Sequence, residues 1–85
     1  MDLYERLSEN LSLWILHDRK NYDSVKQILI DNGNTLRSEK MLIEYLQSID
    51  EVCKEVGSIG IDYVVNKKFM EELIDTMEIE IDKEV

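Results

Sequence analysis

The sequence predicts an all-α fold, a small bundle of three or four helices with short loops. Three observations carry this reading. No proline interrupts the 85 residues. The three glycines, Gly33, Gly57 and Gly60, fall between periodic segments rather than inside them. Apolar residues recur at steps of three and four through most of the chain. The alternative is an α+β fold with a short strand pair near residues 60–65 and 78–82, where β-branched and alternating residues gather. The length fits a single helical domain over residues 1–85.

The first helix is expected from about Leu3 to Lys20. Leu3, Leu7, Leu11, Trp14 and Ile15 form its stripe, with Asp2 as cap and Glu5 completing a box-like pattern. Leu13 and Leu16 lie off that stripe and imply burial on two sides. A short second helix is expected over Val25 to Asn32, capped by Ser24, with Val25, Ile28 and Leu29 on one face and Asn32–Gly33 as terminator. The same Asn-Gly pair also fits a hairpin turn. The third segment has the clearest pattern. Leu42, Leu46, Ile49, Cys53 and Val56 step by 4, 3, 4, 3, with Ser38 as cap and Gly57 as stop. Residues 58–65 read either way.

A last helix begins at Asn66 or slightly earlier. Asn66 as cap would set Val65 and Met70 at the positions of a hydrophobic staple. Lys67 and Lys68 oppose the helix dipole there and argue for a start nearer Asp62. Phe69, Met70, Leu73, Ile74 and Met77 form the inward face. Beyond Met77 the pattern fits continued helix, with a terminal strand as the alternative.

Charge bounds the function. Nineteen acids face ten bases, a net charge of −9. From Gly57 to Val85 there are eight acids against three lysines, which is −5 of that total. Such a field repels nucleic acid and anionic membrane and attracts basic surfaces. Arg6, Arg19, Lys20 and Lys26 are dispersed among acids and make no nucleic-acid patch. The longest apolar run, Leu13 to Leu16, is far below the roughly 20 residues of a membrane span. One cysteine and no basic, apolar leader at the N-terminus fit a cytoplasmic setting.

The candidate binding feature is an acidic ridge. On a continuous last helix, Glu71, Asp75, Glu78 and Asp82 step by 4, 3, 4 and share one face. Like charges at these spacings cost about 0.2–0.5 kcal/mol per contact, roughly 1 kcal/mol in all. Glu72 flanks the ridge. Tyr63 and Tyr4 are candidate interface anchors, because tyrosine is enriched at binding hot spots.

Other chemistry is thin. Glu72 and Asp75 form E-x-x-D, similar to half of the magnesium-binding pattern of the all-helical MazG-type nucleotide pyrophosphohydrolases. The opposing E-x-x-E is missing, Asp2 with Glu5 being the nearest pair. His17 and Asp18 point in different directions on a helix and make no dyad. Cys53, in an apolar stripe, reads as a small hydrophobe. No second cysteine or histidine completes a zinc set. No catalytic residue, metal or cofactor is expected.

The function expected is that of a small acidic protein-binding module. It would dock on a basic, nucleic-acid-binding surface of another protein and inhibit or modulate it. Phage-type inhibitors of nucleases or defence systems, and acidic antitoxins, share this profile of size and charge. The alternatives are a homodimeric assembly subunit using the 4-3 repeat as a seam, and then a magnesium-dependent phosphohydrolase.

Overall fold

The computed structural model describes residues 2–80. Six helices follow one another: α1 (Leu3–His17), α2 (Arg19–Asn32), α3 (Leu36–Gln47), α4 (Asp50–Val56), α5 (Ser58–Val64) and α6 (Lys67–Thr76). No strand occurs among the described residues. The all-helical bundle is as expected. The count of three or four helices is not, because the third segment breaks in two and residues 58–65 supply a helix of their own.

α1 ends at Asp18, short of the expected Lys20, and α2 follows at once. The Asp18 backbone is extended (φ −113, ψ 118), and its side chain accepts the Asn21 N–H. Asp18 therefore starts a new helix instead of continuing α1, as an Asx side chain does when it competes with the helical ladder. The second helix is longer than expected, so Ser24 lies inside it. It ends at Gly33, which takes φ 68 and donates its N–H to the Leu29 carbonyl. That rules out a hairpin at Asn32–Gly33.

The break in the third segment falls at Ser48–Ile49, within the regular 4-3 stripe. Ile49 is extended (φ −98, ψ 110), and the Ser48 hydroxyl donates back to the Tyr45 carbonyl. Thr35, not Ser38, caps α3 by accepting the Ser38 N–H at 3.3 Å. Ser38 is instead fully buried and donates its hydroxyl to the Gly33 carbonyl. The bend brings Leu42, Leu46, Val52 and Val56 into one core. Leu42 and Leu46 are thus covered by this chain itself.

Residues 60–65, the first half of the alternative strand pair, are helical through Val64. Of the second half, residues 78–80 form no strand, and Ile81 and Asp82 lie outside the described residues. The last helix begins at Lys67 with Asn66 as cap, its Oδ1 accepting the Phe69 N–H at 2.9 Å. A start nearer Asp62 is therefore incorrect. Val65 and Met70, the staple positions, are both buried.

Nor does α6 continue past Met77. The Ile79 N–H donates to Ile74, and the Glu78 N–H to Asp75. Glu78 has φ 55. This is a Schellman ending, with Glu78 in the left-handed position that glycine usually fills. Ile74 and Ile79, the paired apolar positions of that motif, both pack against the core. Their packing on the core accompanies a stop at which no glycine stands.

Each helix contributes at least two residues to the core. Leu11 and Ile15 come from α1, Val25 and Leu29 from α2, Ile61 and Val64 from α5, and Phe69, Met70 and Leu73 from α6. α1 packs on α2, α4 and α5, and α6 packs on α2 and α3. A buried polar bridge ties three helices together. Asn21 donates to the Trp14 carbonyl and accepts the Tyr45 hydroxyl at 2.8 Å.

Candidate functional site

On α6 the core residues and the charged residues divide cleanly. Phe69, Met70 and Leu73 face inward, while Glu71, Glu72 and Asp75 are exposed. Glu71 and Asp75 are four apart and share a face. Glu78 is exposed too, but it sits past the helix on the left-handed turn. The expected four-residue ridge is therefore a helical pair, Glu71 and Asp75, followed by a carboxylate on a redirected chain. Its fourth member, Asp82, lies outside the described residues.

The charges of α6 run against its dipole. Lys67 and Lys68 occupy the first turn, where partial positive charge gathers, and Asp75 lies in the last turn, where the end is negative. Lys67–Glu71 and Lys68–Glu72 have the spacing of helix ion pairs, in the less favourable order with the base first. Neither closes to an ion pair. Among the described residues one ion pair forms, Arg19–Asp23 at 3.9 Å, and both its side chains are exposed. The α6 carboxylates are thus not engaged by the lysines within reach.

Tyr63 lies on α5, half exposed, with its ring edge-on to Tyr4 at 5.6 Å between centroids. The Tyr4 hydroxyl donates to Asn66 Oδ1 at 3.3 Å, which fixes the tyrosine pair at the N-terminal end of α6. Asp75 lies nine residues beyond Asn66, about 13 Å along the helix axis. Glu71 and Glu72 are nearer that end, five and six residues beyond Asn66, or about 8–9 Å along the axis.

The remaining candidates are placed as follows. Asp2 caps α1 by accepting the Glu5 N–H at 2.8 Å, which explains that pair without a metal. Among the described residues no three His, Cys, Asp or Glu side chains are grouped to hold a metal ion. Cys53 is half-buried at the core edge and donates to the Gln47 carbonyl at 3.2 Å. His17 is exposed on the rim of a shallow cleft of about 350 Å³, shared with Asn10, Leu13, Trp14, Asp18 and Glu55.

Several exposed apolar residues escaped sequence reasoning, Leu36 at 79% and Ile30 at 52% among them, and Leu13, expected to be buried, is 45% exposed. Ile59 is 86% exposed and Leu3 56% exposed. Leu3 was read as part of a buried stripe, and Ile59 fell in a stretch with no periodicity to place it. No helix is long and apolar enough to cross a membrane among the described residues. Comparison with protein-family models, with curated proteins and with solved structures gave no match to this chain.

Proposed function

We propose that this protein is an acidic protein-binding module that docks on a basic surface of another protein and modulates or blocks it. One observation supports the reading above others: α6 carries a charge arrangement that weakens the helix. Reversed ends cost about 0.3–1 kcal/mol each by the dipole. Among the described residues the carboxylates also form no ion pairs that would recover this cost. Residues that reduce a helix's own stability and point outward are those a binding role would maintain. Lysines and arginines of a partner would complete them, giving fast, salt-sensitive association. A partner surface that binds nucleic acid fits best, because it already presents cations spaced for a row of negative charge.

The test is affinity capture with the full chain as bait, compared with the Glu71→Lys/Asp75→Lys variant at low and high salt. The expected outcome is a captured basic protein, lost on charge reversal and released by salt. An identical captured set from both baits would refute the role of these carboxylates.

A further inference from the structure

We infer that the Ser48–Ile49 joint is a hinge, and that two copies of this chain exchange their α4–α6 halves through it to form a swapped dimer. The exchange is independent of the protein-binding reading above. The joints of the bundle differ in how they are fixed. Asp18, Thr35 and Asn66 start their helices with side-chain caps, and Gly57 turns the chain at φ 83 between α4 and α5. The α3–α4 joint has no side-chain cap, no glycine and no positive φ.

The bend rests on one dihedral angle. Ser48 is already helical (φ −80, ψ −10), and its N–H donates to the Glu44 carbonyl at 3.2 Å, as in an α-helix. Ile49 alone leaves the helix, with ψ 110. Returning that angle to about −42° fuses α3 and α4 into one helix from Leu36 to Val56, about 31 Å long. The sequence suits the fused form. At about 100° per residue, Leu42, Leu46, Ile49, Val52, Cys53 and Val56 fall within an arc of about 120°, and the charged residues of the stretch fall outside it. A chain that only bent would not need its apolar phase kept across the bend. Fusion also supplies partners. The N–H groups of Asp50, Glu51 and Val52 meet no cap and no backbone carbonyl among the described residues. In the fused helix the carbonyls of Leu46, Gln47 and Ser48 accept them.

Fusion calls for a second copy. It carries α4–α6 away from α1–α3 and uncovers core residues that the two halves share. In the closed chain α1 packs on α4 and α5, and α3 packs on α4, α5 and α6. An identical chain opened in the same way offers the same surfaces, so each lobe reforms from α1–α3 of one copy and α4–α6 of the other. Short joints invite such exchange. Side-chain bonds at the surface hold the closed form: the Ser48 hydroxyl to the Tyr45 carbonyl, Cys53 Sγ to the Gln47 carbonyl, and Gln47 Nε2 to the Ser58 carbonyl. Their loss opposes the three backbone bonds gained, and protein concentration selects the form. Encounter brings −9 against −9, so salt favours the dimer. The dimer carries two α6 faces on one particle.

The full chain is refolded from urea in molar salt at micromolar and at millimolar concentration, and its mass is measured by light scattering. The expected result is monomer at the lower concentration and dimer at the higher. A dimer made from equal parts of isotope-labelled and unlabelled chain then locates the contacts by filtered NOEs. Tyr4 and Tyr63, 5.6 Å apart between ring centroids, should report between chains, and the Ile49 Cα shift should move into the helical range. Two substitutions push the hinge in opposite directions. Asp50→Pro suits the bent form, because Asp50 opens α4 and Ile49 before it is extended. Inside the fused helix a proline breaks the ladder. This variant should lose the dimer and keep the helical circular dichroism of the monomer. Ser48→Ala removes a hydroxyl that holds the bend and raises helix propensity in each copy, so the dimerisation constant should rise about fivefold or more. Monomer at every concentration, for the parent and Ser48→Ala alike, overturns the exchange. So does a dimer whose Tyr4–Tyr63 contact stays within one chain, or an Asp50→Pro variant that dimerises as readily as the parent.

Discussion

α5 and α6 are neighbours in sequence and opposites in construction. α6 has a side-chain cap at Asn66, a Schellman ending and an inward face of Phe69, Met70 and Leu73. Its departure from a stable design lies in its charge. α5 has seven residues, a glycine before it and no side-chain cap. Its departure lies in apolar residues facing solvent. The core fixes the inner side of both helices by the same rule of burial, and the outer sides are free to differ. What each outer side carries reduces stability or solubility, so the two surfaces are the places to look for selection by something other than folding.

Substitutions can break that contrast. The largest effect is expected on the inner side of α6. Phe69→Ala should cost about 3–5 kcal/mol, enough to unfold a domain of this size, and thermal denaturation would record it. The same type of truncation on the outer side of α5, Ile59→Ser, should stay within about 0.5 kcal/mol. A large loss there would mean that Ile59 packs in the folded chain. Next comes Asn66→Ala, at about 1 kcal/mol by urea titration, for the lost cap. Glu78→Gly should stabilise by up to about 1 kcal/mol, since a left-handed backbone is strained for any residue with a Cβ. A destabilised variant would show that the Glu78 side chain holds the turn. The smallest effect is for Lys67→Glu, a gain of about 0.3–1 kcal/mol at low ionic strength that disappears in molar salt. No gain at low salt would remove the claim that α6 is electrostatically reversed.

The same two helices show what the sequence makes legible. Periodicity gave α6 its inward face; Asn66 with the Val65–Met70 staple marked its start, while Lys67 and Lys68 pointed wrongly to one nearer Asp62. The end of α6 was hidden, because the chain stops with a glutamate in the glycine position while Ile74 and Ile79 pack on the core. Local propensity sees only the missing glycine. The break at Ser48–Ile49 was hidden for a related reason. It is made by the Ser48 side chain bonding to nearby backbone, and the apolar steps run through it without interruption. The joint at Asp18 was legible as a polar stretch, His17 to Asn21, and only its boundaries shifted. Of the candidate site, the exposure of Glu71, Glu72 and Asp75 could be read from the helical pattern, whereas Tyr63 lies in the stretch 58–65 that read either way. The distance between Tyr63 and the carboxylates could not be read, because it depends on where Tyr4 and Asn66 meet across the fold. Ile59 gave no signal at all, since one isoleucine between Ser58 and Gly60 has no period.

The joints of this bundle have a further consequence. One residue separates α1 from α2, one separates α4 from α5, and two separate α3 from α4. A protease needs several consecutive extended residues in its cleft, and no such stretch exists between these helices. Cleavage there requires that flanking helical turns unwind first. Digestion at those joints therefore times spontaneous local opening of the native molecule rather than nicking of a slack linker.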